Sequence, residues 1–351
     1  MSQLCFDAKK ISAVGSPKEA QESMFEFLER CPDARFDSAR NSLIELFNRY
    51  PESEKAEMLT RIMARNDRQF KSAVFELFLY GALSGQGFTL EPHPLLSNGS
   101  EKKPDFLVTA PSGESFYLEA VLAGVDGDVD PIKLEMVSQF VNRLKKQHHE
   151  QFSLFLLVKK LPSRQPSANK LMAFIRDWFC SLVNKGVTEE GAVLGEIDYK
   201  DGDFEVELTA TSKKNEGLIN GWRVDGARFV KPAFPVTKAL KAKAAKYGEL
   251  DRPFVIAVNS DWSCFDGVQA EAALYGSLQA SFFVGEEDIN VSRKPDGFWS
   301  EGHYSRVSAV WLFASLDVFT LNTSRHGFYT NEHADFVLNE GVVAARSSVG
   351  R

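Results

Sequence analysis

The sequence has little that would staple or anchor it. Its 351 residues hold four cysteines, Cys5, Cys31, Cys180 and Cys264, with no C-x-x-C pair. That excludes a zinc knuckle and a disulfide scaffold and fits a reducing compartment. No stretch approaches the ~18–20 consecutive apolar residues of a membrane span. Residues Met1 to Val14 carry Asp7, Lys9 and Lys10 where a signal peptide would have an apolar core. A cytoplasmic protein without a membrane partner is expected. Neither sign of charge dominates: 41 Lys and Arg against 48 Asp and Glu leave a net charge of -7. This is too mild for an acidic tail and opposite in sign to a basic coat, so contact with phosphate would have to be local. The motifs G-x-x-x-x-G-K-[ST], G-x-S-x-G and H-E-x-x-H are also missing. ATP-driven, serine-elbow and zincin chemistries therefore lack their signatures.

What is present is an ordinary folding composition, 44% hydrophobic and 25% charged, which argues against disorder. Residues 17–67 carry apolar positions at helical spacing, broken near Pro32 and Pro51, and predict three short amphipathic helices. Over 70–84 the apolar residues run nearly all the way round, as in a buried helix, with Glu76 among them. Three strand-like runs follow, at 88–92, 105–109 and 115–122, separated by breakers, and predict a meander. A helix over 132–150 and a buried strand over 152–158 come next. The remainder alternates: helices near 170–184 and 237–247, and strands near 192–199, 204–211, 253–258 and 307–314. The fold class is α/β. The expected divisions are a helical region over 1–68, a core over 69–160 and an α/β extension over 161–351, the last boundary falling in the polar stretch 161–169.

Three acidic residues sit where a carboxylate is costly: Glu76 in the apolar helix, Asp105 opening a strand and Glu119 within a strand. Strand alternation puts Phe116, Leu118 and Ala120 on one face and Tyr117, Glu119 and Val121 on the other. If the two strands are neighbours, Asp105 and Glu119 approach closely enough to repel. A hard divalent cation relieves such repulsion, and oxygen-only ligands favour magnesium or manganese over zinc. Each residue also has a plainer explanation. Glu76 would be a buried carboxylate paired with an arginine such as Arg65 or Arg68, Asp105 a turn aspartate, and Glu119 a solvent-facing residue of an edge strand.

Lys103-Pro104-Asp105-Phe106, Glu119-Ala120-Val121 and the helical Glu76, in this order of elements, resemble the PD-(D/E)xK nuclease superfamily over residues 70–158. The resemblance implies a restriction-endonuclease-like core of helix, three-strand meander, helix and strand. It also implies hydrolysis of nucleic acid, DNA before RNA, by magnesium-activated or manganese-activated water. Asp105, Glu119 and the Ala120 carbonyl would hold the ion, with Glu76 in support. The family's catalytic lysine falls at Val121, which can do none of its work. Lys103, Lys133, Lys145, Lys243 and Lys246 are the candidate substitutes.

Two basic groups would track a phosphate backbone: Arg143, Lys145 and Lys146 near one helix end, and Lys238, Lys241 and Lys243 along another helix. Both are also explained as solvated helix faces. Asp126-Gly127-Asp128-Val129-Asp130 imitates a calcium loop, but Pro131 and Val137 stand where the glycine and bidentate glutamate belong. His326 and His333 read as surface or hydrogen-bonded residues. Two rivals remain: a catalytically degenerate module of the same fold that binds nucleic acid or a protein, and an unrelated assembly protein.

Overall fold

The computed structural model describes residues 3–11, 18, 22–124, 131–145, 147, 149–182, 191–212, 218–224, 233–260, 266–281 and 290–339. The chain forms two compact units, Met1–Val125 with Lys231–Arg351, and Asp126–Val230. The second is inserted into the first, so the boundaries expected at 68/69 and 160/161 do not coincide with the observed ones.

In the first unit, α1 (Met24–Arg30), α2 (Ala34–Arg49) and α3 (Lys55–Ile62) are the three expected amphipathic helices. Helix α1 starts at a capping box in which Ser23 and Glu26 satisfy each other's backbone amides. It stops before Pro32, and Asp33 caps α2 by accepting from the Arg35 amide. Helix α4 (Asp67–Ser84) is capped by Asn66 and buries ten of its residues, Glu76 among them. All four helices share one core with a sheet face, through Leu28, Leu43, Phe47, Ile62, Phe75 and Leu79. The N-terminal helices are thus part of this unit, since their apolar stripes bury against α4 and the sheet.

That sheet is mixed, in the order β1-β2-β3-β8-β11-β12. Strands β1 (Thr89–Pro92), β2 (Phe106–Thr109) and β3 (Ser115–Ala123) form the antiparallel meander. Strand β3 then pairs in parallel with β8 (Phe254–Ser260), and β8 with β11 (Ala309–Ala314); β12 (Arg325–Thr330) closes the far edge antiparallel to β11. Parallel pairing demands a crossover. Between β3 and β8 the chain runs through the whole inserted unit and then α7 (Ala233–Ala244). Helix α7 and α8 (Gly267–Tyr275) cover the sheet face opposite α4, in a core containing Tyr117, Val236, Leu240, Phe254, Ile256 and Leu274. Beyond α8 lies a small hairpin, β9 (Leu278–Ser281) with β10 (Asn290–Arg293).

The inserted unit holds α5 (Pro131–Lys145), α6 (Ala168–Leu182) and a four-stranded sheet in the order β5-β6-β4-β7, from β4 (Phe152–Lys160), β5 (Val193–Asp201), β6 (Phe204–Ser212) and β7 (Ile219–Val224). Phe140 and Leu144 of α5 and Ile175 and Phe179 of α6 pack on Phe152, Leu154, Phe204 and Val206. The helix and strand expected to complete the core after the meander therefore build a separate sheet. In the first unit that place is taken by α7 and β8. The molecule is mixed α/β, and no helix among the described residues is long and apolar enough to cross a membrane.

Candidate functional site

Strand alternation decides which way Glu119 faces. Phe116, Leu118 and Leu122 enter the core beneath α4, while Tyr117 and Ala123 enter the core beneath α7. Glu119 lies between Tyr117 and Val121 and points towards α7, fully buried. Its Oε1 receives the ammonium groups of Lys243, in a very short contact, and of Lys246 at 3.0 Å. The Tyr247 hydroxyl lies against Oε2 and 3.0 Å from the Lys103 carbonyl. A hydroxyl has one proton to give, and the charged oxygen is the stronger acceptor. Burial and the negative charge of Glu119 push the Tyr247 phenol far above its ordinary pKa, so it stays a neutral donor.

The backbone explains Asp105. The Tyr117 amide donates to Pro253 on the β8 side, at 2.8 Å. Three residues on, the Ala120 amide faces the β2 side, where it donates to Asp105 Oδ2 at 2.7 Å. Ladder pairing between β2 and β3 ends at Phe106 with Leu118, so the Asp105 side chain caps the edge of β3 just beyond it. The Ala120 carbonyl projects to this same edge. Asp105 is half-buried, and no ion pair to it occurs among the described residues. Burial first, then the charges of Glu119 and Glu76, raise its carboxyl to about 7, against the pull of the Ala120 amide and Lys243.

Glu76 belongs to a different arrangement on the α4 side of the sheet. Its Oε1 accepts from the Tyr50 hydroxyl at 2.7 Å, and Oε2 meets Arg61 Nη1 at 2.7 Å. The arginine pairing expected for it exists, but through α3: Arg65 pairs with Glu26 at 3.2 Å, and Arg68 donates to the Leu122 carbonyl at 3.3 Å. Glu76 is near enough to raise the Asp105 pKa. The three carboxylates nevertheless do not gather at the spacing of ligands around one ion. Among the described residues the group that meets this spacing is Glu54, Glu57 and His93, within 4.8 Å of one another. Glu57 of that group is exposed and Glu54 and His93 are half-buried, and the looseness of the His93–Glu54 contact, 3.8 Å, gives it no further sign of ligand chemistry. Glu76, expected to support the ion directly or through water, is held in this structure by Tyr50 and Arg61.

Of the five candidate lysines, Lys243 and Lys246 reach Glu119. Lys103 contributes its backbone carbonyl, and its side chain is exposed. Lys133, Lys145 and Arg143 belong to the inserted unit, and Lys146 lies outside the described residues, as does the 126–130 loop. Lys238 and Lys241 are exposed on α7. Val121 is packed against the apolar core. His326 accepts from the Trp311 indole at 3.3 Å, a hydrogen-bonded histidine as expected.

Sequence reasoning missed Tyr247, Tyr50 and Arg61. Tyr247 had a usable signal, four residues after Lys243 beyond a lysine-rich helix. Arg61 had none, because α3 and α4 meet only in three dimensions. An all-oxygen set of Asp105, Glu119 and the Ala120 carbonyl suits a hard cation such as magnesium or manganese.

No protein-family model matches the chain, and comparison with curated proteins and with solved structures finds no match either.

Proposed function

We propose that the protein is a metal-dependent phosphodiesterase acting on nucleic acid, with a divergent restriction-endonuclease-like core formed by α4, the β1-β2-β3 meander, α7 and β8. The observation that carries this is the arrival of two ammonium groups, Lys243 and Lys246, on Glu119 beside Asp105. The strand position that would ordinarily supply the basic group holds Val121. A cation at the β3 edge would be held by Asp105, Glu119 and the Ala120 carbonyl. When bound, magnesium or manganese lowers the pKa of a coordinated water and screens the phosphate. Lys243 would lie against the non-bridging oxygens and offset the charge that builds during in-line attack. Tyr247, in the turn beyond α7, positions Glu119 by donating its hydroxyl to Oε2. DNA is preferred to RNA on the resemblance alone.

The test is cleavage of plasmid, single-stranded DNA and RNA with magnesium or manganese. Asp105→Asn and Glu119→Gln should each lower the rate by about a hundredfold or more. Unchanged metal-dependent cleavage in both variants would sink the reading.

A second reading, a non-hydrolysing module of the same fold, is favoured by the saturation of Glu119, whose two oxygens already face two ammonium groups and a phenol. Tight nucleic-acid binding without turnover would select it.

A further inference from the structure

Glu119 is already neutralised without an ion: Lys243 and Lys246 both reach its Oε1, while Asp105 beside it accepts the Ala120 amide and Glu76 is matched by Arg61. A divalent cation added beside the buried Glu119 would meet both ammonium groups at close range, where like charges repel strongly. Glu119 is fully buried, so it cannot turn to water to find room. The lysines can. Their side chains are 26% and 32% exposed. Helix α7 ends at Ala244, short of the Tyr247 end its sequence predicts, which leaves Lys246 in the turn beyond it. Lys246 makes the longer of the two contacts to Glu119 and is the more exposed of the two lysines, with the Tyr247 ring, 4.8 Å from its ammonium group, as a second resting place, so it is the one more readily drawn away.

We propose that Lys246 is a phosphate-responsive lock on Glu119. In the free protein it occupies the carboxylate oxygen that the cation needs. A phosphodiester at the mouth of the site draws its ammonium group outward, restores the charge balance and opens Glu119, so cation and polyanion bind cooperatively. The inference rests on the phosphodiesterase reading and adds an order of assembly to it. Uptake of the ion would then wait for substrate, which protects the buried carboxylates from idle occupancy.

Linkage fixes the test, because cooperativity must appear from both sides. The full chain is titrated with Mn2+, read by the loss of the free-ion electron paramagnetic resonance signal, for the wild type and for Lys246→Gln and Lys246→Met. The lock predicts that both variants bind Mn2+ about tenfold more tightly than the wild type without nucleic acid. A labelled single-stranded 16-mer DNA is then titrated by fluorescence anisotropy in Ca2+ and in KCl of equal ionic strength. Ordinary polyelectrolyte binding weakens when divalent ions compete for phosphate. The wild type should instead bind about tenfold more tightly in Ca2+, and the variants should lose that gain. Mn2+ affinity unchanged in both variants, with DNA binding weakened by Ca2+, overturns the lock. If Asp105→Asn still abolishes Mn2+ binding in that case, the phosphodiesterase reading survives; if Mn2+ binding ignores Asp105→Asn, both fall.

Discussion

Glu76 and Glu119 are two buried glutamates on opposite faces of one sheet, each held by a tyrosine hydroxyl and by basic side chains. Glu76 has Tyr50 and Arg61; Glu119 has Tyr247, Lys243 and Lys246. The difference lies in the cation. Arg61 is planar, permanently charged and reaches from α3 to α4, so it ties two helices together and has no proton to exchange. The lysines are flexible point charges on one side of the site, able to move to another anion. The same ingredients thus make a structural clamp on one face and an exchangeable site on the other. Asp105, at the β3 edge between them, feels both glutamates, and among the described residues no ion pair reaches it.

Four predictions press on this comparison. The largest effect concerns turnover. Glu119→Gln should reduce metal-dependent cleavage by about a thousandfold while the chain still folds, with a smaller loss of stability than at Glu76, because the amide still accepts from Tyr247 and the two flexible lysines it releases can turn to water. If it instead unfolds the protein, Glu119 is a clamp like Glu76.

Next comes stability at the clamp. Glu76→Ala should cost about 3 kcal/mol in urea unfolding, since it strands Arg61 and the Tyr50 hydroxyl. Arg61→Lys should recover little of the pairing that a guanidinium gives. A neutral outcome for Glu76→Ala would remove the contrast.

Third, Asp105→Asn should make the metal-free protein more stable at pH 8, by on the order of 1–3 kcal/mol, and change little near pH 4. Its folded carboxyl is raised to about 7. Between the unfolded value and 7 the native state therefore holds a proton that the unfolded chain has lost, and wild-type stability falls as pH rises through that window. A variant less stable than wild type at pH 8 would contradict this, and with it the crowding of negative charge at the β3 edge.

The smallest effect lies in the inserted unit, where Asp201 accepts from the Ser167 amide and pairs with Lys170. These contacts hold its carboxyl below the usual range, the amide bond first. Their stabilisation is present above the ordinary carboxylate pKa and is lost as pH falls through the depressed one. Asp201→Asn should cost only about 0.5 kcal/mol at neutral pH, read by chemical denaturation, and nothing below the folded pKa. A loss as large as that at Glu76 would show that surface pairs here behave as buried ones.

Much of the site was legible because its signals are local. An acid among apolar residues at Glu76, an acid after Pro104 and an acid inside a strand at Glu119 are each visible within a few positions. The meander follows from breakers between short runs, and Lys243 and Lys246 were open as donors once Val121 was seen to be inert. Less legible was the completion of the core. Helix α5 and β4 have the same helical periodicity and apolar run that the core's closing helix and strand would have, and they come at the expected place. Only the pairing of β3 with β8 reveals that they build another sheet, and strand partners far apart in sequence leave no periodic trace.

The chain's own pattern determined that the protein is α/β, that a meander carries Asp105 and Glu119 on successive strand-like runs, and that valine stands where a strand lysine would be beside Glu119. Alternation and breakers act over a few residues, so each of these follows from local geometry. Tertiary structure alone decided that Glu76 answers to Arg61, that Tyr247 seats Glu119, and that two lysines from beyond an inserted unit neutralise it. Those contacts depend on which surfaces the cores bring together when they bury their apolar faces.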